Sequence, residues 1–416
     1  MTAAIDAADL PLSRVAARRV ERAMRANPVV VIMGARQTGK STLAGEIARA
    51  RGRRVLTLDD AATRDAAQTD ARALLAGDTP LLIDEVQRVP ELMLALKIAV
   101  DEMGTRRRPG HFLVTGSANP LTMKSVADSL AGRASYVPLH PMTRREVLGM
   151  GTAGMWSELF TSPNDRWQDL VNDQVAPEED WKERSRIGLF PTPALQLDDE
   201  ARSQWFSGYE ATYLDRDIRD ITNIHNVPDF RRLMALLALR MGNLTNQTEV
   251  GRDAKLAQAQ VHRWMNLLET TFQMFRLDAF STNKGTRLIK TPKTYWIDTG
   301  LAMHLTREHT PRGAHLENLV LHDLRAWRDA TDGRADLSYW RTAGGREVDF
   351  IVEQNGRTIA VEVKSSPNIS RRDTAHLTAF MDEQGASVLG ALVLYTGAQT
   401  LRLDARTIAV PWWRII

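Results

Sequence analysis

No cysteine occurs in the 416 residues. That excludes disulfides, thiol nucleophiles and Cys-ligated zinc together, and it fits a cytoplasmic setting. No stretch approaches the roughly twenty apolar residues of a membrane span, so no membrane partner is expected. Met1 to Leu10 lack a basic region followed by an apolar core, so no secretion signal is read there. An excess of one charge is also missing. Lys and Arg number 54 against 51 Asp and Glu, a net charge of +3, so any basic surface for nucleic acid must be local. There is no internal repeat and no long low-complexity tract. Hydrophobic residues at 43% and charged residues at 25% are ordinary for a chain with real cores. The length allows about two to four domains.

What the chain does contain is Gly34-Ala35-Arg36-Gln37-Thr38-Gly39-Lys40-Ser41, between an apolar run (Val29 to Met33) and a helical pattern beginning at Thr42. Strand, glycine loop and helix in that order fit the phosphate-binding pattern G-x-x-x-x-G-K-[ST]. Two glycines let successive amides turn inward as an anion nest, and the helix N-terminus adds its dipole. Lys40 is expected to reach the outer phosphates of ATP, and Ser41 to offer a hydroxyl to Mg²⁺.

Leu81 to Ile83 read as a second strand ending in Asp84 and Glu85. Downstream of a phosphate loop, Asp84 is expected to hold Mg²⁺ and Glu85 to orient and deprotonate the attacking water. Phe112 to Thr115 form a further strand, and Ser117 and Asn119 beyond it are candidates to sense the γ-phosphate. All three loops converge if the sheet is an open α/β sheet. Arg133 is a candidate for transition-state charge, in its own subunit or across an interface. Arg14, Arg18, Arg19, Arg22 and Arg25 are expected to line the solvated face of an amphipathic helix. Arg106 to Arg108 are read as a solvated turn, or as a basic projection toward a partner.

Beyond Gly149 the composition changes, with Trp156, Trp167 and Trp181 among acids, prolines and glycines. This stretch is read as linker and domain entry. Between Asp229 and Trp296 three helices and two strands suggest a winged helix-turn-helix. As a DNA reader it would face a groove with Gln258, Gln260, His262 and Arg263, and touch phosphate with Lys284 and Arg287 on the wing; the same pattern equally serves protein packing. Further on, strands 347–352 and 358–364 flank an Asn355-Gly356 hairpin turn. Asp349 and Glu362 face each other across it, with Lys364 on the face of Glu362. That edge fits a Mg²⁺ site for phosphodiester cleavage, completed by Glu317 and served by Lys364, and it also fits a hairpin with a surface ion pair.

The phosphate loop with Leu82-Ile83-Asp84-Glu85-Val86-Gln87, Leu113 to Ser117, Leu130 to Arg133, Lys293 to Leu301 and Leu316-Glu317-Asn318 together resemble a large family of prokaryotic AAA+ ATPases. The resemblance implies an α/β chain with three parts. These are an N-terminal P-loop AAA+ domain (1–148), a central helical and winged-helix region (149–228 and 229–303), and a C-terminal α/β endonuclease-like domain (304–416). It implies ATP hydrolysis with nucleotide held by Gly34 to Thr42, and a homo-oligomer, with a hexamer as one form. It also places Glu317, Asp349, Glu362 and Lys364 on a PD-(D/E)xK signature, although Arg346-Glu347-Val348, before Asp349, contains no proline. The expected function is an ATP-driven protein acting on DNA, with or without cleavage. The alternative is a regulatory ATPase whose later domains are non-catalytic platforms.

Overall fold

A computed structural model describes residues 13–104, 108–117, 130–214, 226–281 and 290–416. They form two compact units, Met1–Thr152 and Ala153–Ile416.

In the first unit five strands pair in parallel: β1 (Val29–Met33), β2 (Arg54–Thr57), β3 (Leu81–Asp84), β4 (Phe112–Gly116) and β5 (Ala134–Pro138), in the order β2-β3-β4-β1-β5. β1 and β4 are buried throughout because helices cover both faces of the sheet. Val29 and Val31 join Leu92, Leu96 and Val100 of the helix Leu92–Glu102 in one core. Val30 and Ile32 pack on the opposite face with Val20 and Met24 of the helix Val15–Ala26, and with Leu43 and Ala48 of the helix Lys40–Ala50. Strand β2 stops at Thr57, and Asp60 caps the next helix, accepting from Thr63 N at 2.8 Å. Arg14 departs from the expected solvated face. It is buried just before the first helix, whereas Arg18, Arg19 and Arg25 are exposed. Arg106 and Arg107 lie outside the described residues.

In the second unit the Trp-rich stretch is packed. Trp156 and Trp167 are wholly buried. Trp156 Nε1 donates to Asp323 at 2.6 Å, Trp327 Nε1 donates to Ser157 Oγ at 2.8 Å, and Phe160 stacks on Trp327. What composition suggested was a linker is therefore a clamp on the helix Gly313–Ala330. Helices Val227–Leu239, Gln247–Ala254 and Gln258–Thr270 follow as expected. Strands β6 (Met274–Leu277) and β7 (Lys293–Trp296) then pair antiparallel. Lys284 and Arg287, between them, lie outside the described residues. After the helix Thr299–Thr306, six strands form a mixed sheet in the order β12-β13-β11-β10-β9-β8. They are β8 (Ala335–Arg341), β9 (Glu347–Gln354), β10 (Arg357–Lys364), β11 (Val388–Tyr395), β12 (Leu401–Arg402) and β13 (Thr407–Pro411). The turn between β9 and β10 takes φ 51° at Asn355 and 78° at Gly356, as a two-residue Asn-Gly hairpin requires.

His315 opens the helix that carries Glu317. It is buried, and its Nδ1 accepts from Arg312 N at 3.0 Å, which requires that nitrogen to be unprotonated. Burial, and then the Arg312 guanidinium, push its pKa from 6.5 down to about 4. Between those values the unfolded chain binds the extra proton, so this contribution is complete above pH 6.5 and is lost as pH falls toward 4. Substituting His315→Gln is predicted to remove up to about 3 kcal/mol of acid sensitivity. Denaturation midpoints measured from neutral pH downward should fall less steeply in the variant; parallel curves would refute this.

Candidate functional site

The loop after β1 is shaped by two glycines. A Cβ on Gly34 would stand 2.3 Å from Leu139 O, and Gly39 takes φ 90°. The helix Lys40–Ala50 then points its N-terminus into the loop. Lys40, 4% exposed, folds back so that Nζ donates to Ala35 O at 2.7 Å, and Thr38 Oγ1 donates to the same carbonyl at 3.0 Å. Arg36 is half-buried, and Gln37, Ser41 and Thr42 are exposed along the rim. From beneath, Arg14 braces the loop. Its guanidinium donates to Thr38 O at 2.8 Å and His140 O at 2.7 Å, and it pairs with Glu146 at 3.0 Å. Glu146 is itself fixed by a capping box with Thr143.

Strands β3 and β4 bring the acids to this loop. Ser41 Oγ donates to Asp84 Oδ1 at 2.9 Å, and the buried Thr115 hydroxyl donates to the same oxygen. Glu85 follows in a left-handed conformation, φ 62°, with its N–H held by Thr115 Oγ1 at 3.0 Å. Gln87 bridges the rest: its amide donates to the Glu85 carboxylate and, at 2.8 Å, to Ser117 Oγ, while Ser117 N donates back to it at 3.2 Å. Lys40, Ser41, Asp84, Glu85 and Ser117 are thus brought together at the carboxyl edge of one sheet. Asn119 lies outside the described residues. Arg133 is not brought here. It precedes β5 at the edge where β1 begins, its carbonyl accepts from Val29 N, and its guanidinium pairs with Asp101 at 2.6 Å. Arg133 thus stands at the opposite end of the strands from its own chain's loop. Thr115, Gln87 and Arg14 were missed, because each acts through a strand neighbour or a distant carbonyl that spacing does not reveal.

Residues 26–148 match the family model described as an AAA domain. Residues 178–312 and 312–415 match models described as domains of unknown function, DUF8612 and DUF4143. The uncharacterized protein Rv2008c of Mycobacterium tuberculosis is 30% identical over 410 residues, covering 96% of this chain and 83% of its own length. Mb2031c of Mycobacterium bovis gives the same figures. The chain belongs to this family of AAA-domain proteins. Among solved structures, the Walker-type ATPase of Pyrococcus abyssi is 13% identical with a TM-score of 0.40, covering 73% of this chain and 98% of its own. The first unit of this AAA-domain protein is a P-loop ATPase domain. Its oxygen-only pair, Ser41 Oγ and Asp84, fits Mg²⁺, a hard cation that takes oxygen ligands beside phosphate. When bound, Mg²⁺ supplies charge neutralisation between phosphate oxygens.

The AAA-domain protein's second acidic cluster is built differently. The β9–β10 register sets Asp349 beside Glu362, and Lys364 Nζ donates to Glu362 Oε1 at 2.7 Å, as strand alternation predicts. Glu317 arrives from the helix Gly313–Ala330. Unexpectedly, Lys293 of β7 enters among them: its Nζ lies 2.6 Å from Glu347, 3.2 Å from Glu317 and 3.4 Å from Asp349. The Tyr295 hydroxyl also donates to Glu317. Burial and then the Asp349 charge push the pKa of Glu317 up to about 7 and that of Glu362 up to about 8. Burial alone would lower Lys293, but Glu317, Asp349 and Glu347 outweigh it and hold the ammonium above the ordinary lysine range. Among the described residues no group of three or more His, Cys, Asp or Glu is arranged to hold a metal ion. The expected metal set of Glu317, Asp349 and Glu362 does not fit a divalent ion as it stands, because an ammonium already lies between Glu317 and Asp349. Neither Lys293 nor Glu347 was singled out from sequence as part of this edge.

Replacing Glu85→Gln is expected to leave ATP binding intact and to lower turnover by about 10²–10⁴-fold, the range lost with a general base. Lys40→Ala should instead lose nucleotide binding. Fluorescent-nucleotide titration beside phosphate release separates the two, and unchanged turnover in Glu85→Gln would mean the base lies elsewhere.

Proposed function

We propose that this protein is an ATP-driven switch that binds and releases DNA. The observation carrying this reading is the helix Gln258–Thr270. Its inner face buries Val261, Trp264, Met265 and Leu268, while Gln258, His262 and Arg263 are exposed together. With Gln247 and Ala259 these residues line an open hollow of about 670 Å³. Gln260 is half-buried beside them. The preceding helix Gln247–Ala254 ends at Lys255 in a left-handed turn, the geometry of a helix-turn-helix whose second helix enters a groove. Arg263 forms no ion pair among the described residues, which leaves its guanidinium available to a phosphate or base edge. The family resemblance to AAA+ proteins with a winged helix and an endonuclease-like fold supports the same reading. ATP and Mg²⁺ held by Gly34 to Thr42 and Asp84 would set the conformation. Cleavage is not part of the proposal, because Lys293 stands where a metal would be needed.

Arg133 belongs to the assembly in this reading. At the edge of the sheet away from its own loop, it serves the nucleotide of a neighbouring copy in a homo-oligomer. Mixing Lys40→Ala with Arg133→Ala protein, each of low activity alone, should restore part of the ATPase, since one copy supplies the arginine and the other the nucleotide. No recovery in mixtures that co-assemble would overturn the role across the interface.

Gel-shift titrations with labelled single-stranded, duplex and branched DNA, with and without ATP and Mg²⁺, test the DNA reading. Binding should depend on nucleotide, weaken with salt, and fall about ten-fold or more in Arg263→Ala with His262→Ala. Absence of any shift at low salt, in either nucleotide state, would sink the DNA reading and turn the search to a protein partner.

A further inference from the structure

The cage around Lys293 combines two segments that the chain could have kept apart. The carboxylates come from the six-stranded sheet and the helix Gly313–Ala330, whereas the ammonium comes from the β6–β7 hairpin. That hairpin is tied to the three-helix segment, since Lys293 pairs with Leu277, Gly242 N donates to Thr294 O at 2.9 Å, and Thr245 and Thr294 share a hydroxyl hydrogen bond at 2.7 Å. Lys293 is 2% exposed. Asp349 has both oxygens engaged, Oδ1 toward Lys293 at 3.4 Å and Oδ2 accepting from Val363 N at 2.9 Å. Glu362 gives Oε1 to Lys364, but its Oε2 is buried with no hydrogen-bond partner among the described residues. That oxygen is a buried polar atom which the ammonium of Lys293, turned to Glu317, Glu347 and Asp349, does not serve.

A divalent ion would need carboxylate oxygens at about 2.0–2.6 Å. Glu317 and Asp349 cannot offer them while both face an ammonium, and two cations packed so closely would repel. We propose that Lys293 is the resident cation of this cage. Its ammonium stands against Glu317 and Asp349 and keeps divalent metal out of the cage. The contact ties β7 to the acidic edge. It stands independently of DNA binding.

Electron paramagnetic resonance of Mn²⁺ tests this on the full chain without nucleotide, in a Ser41→Ala, Asp84→Asn background that silences the ATP site. With Lys293 present, Mn²⁺ binding should be the same whether residue 349 is aspartate or changed Asp349→Asn. Lys293→Met should gain one Mn²⁺ site, tighter by about ten-fold or more, the scale on which groups touching metal ligands act. The gained site should vanish when Asp349→Asn is added, and Mn²⁺ should raise the melting temperature of Lys293→Met alone. Loss of a Mn²⁺ site on Asp349→Asn while Lys293 is present would overturn the proposal, and so would a folded Lys293→Met protein that gains none. Where Lys293→Met does not fold, the first comparison decides alone.

Discussion

Parallel pairing with β4 between β1 and β3 is the constraint from which the nucleotide site follows. Because all three strands run the same way, their carboxyl ends deliver the phosphate loop, the acids and the Thr115–Ser117 segment to one edge. The central strand is the one that can touch both neighbours. Thr115, wholly buried, donates its hydroxyl to Asp84 and accepts the N–H of Glu85. One side chain thus fixes the rotamer of Asp84 and the backbone of Glu85. The same direction of travel carries Arg133, at the start of β5, to the far edge.

A second layer holds the loop from below. Arg14 and Glu146 are 6% and 3% exposed, a pair whose desolvation cost is offset only if every donor finds a partner. Here they do much of that: the guanidinium reaches the loop carbonyl of Thr38 and the carbonyl of His140 after β5, and the carboxylate also closes a capping box. The buried pair therefore contributes position more than stability. It joins the entry to the first helix, the phosphate loop and the segment after β5, so that the nest is shaped by residues more than a hundred positions apart in the chain. Lys40 in turn rests its ammonium on Ala35 O.

Much of this was legible in the sequence because it is local. A glycine loop between an apolar run and a helix, acids at the end of a second run, and an Asn-Gly hairpin turn are each written in consecutive residues, and each stands where expected. What was not legible depends on neighbours chosen by the fold. Arg14 looks like its exposed helical companions until the loop carbonyls are placed over it. The tryptophans beyond Gly149 read as irregular chain because their partners, Asp323 and Trp327, lie far downstream. Lys293 reads as one strand lysine among others, since nothing nearby in sequence announces three carboxylates from two other elements.

The two acidic edges show how one sequence pattern yields two chemistries. Both place acids at the ends of apolar strands. At Asp84 the partners are hydroxyls, Ser41 and Thr115, which are neutral and leave the carboxylate's charge for a cation to meet. At Asp349 the partner is an ammonium, which meets that charge itself. The excess shows in the remaining carboxyls, since Glu317 and Glu362 are both pushed toward their neutral forms by burial and by Asp349. A cluster in that condition gains by admitting positive charge and loses by admitting it twice. Its state is therefore set by whichever cation is covalently delivered, and Lys293 is delivered by a hairpin that also carries the segment's outward-facing helix.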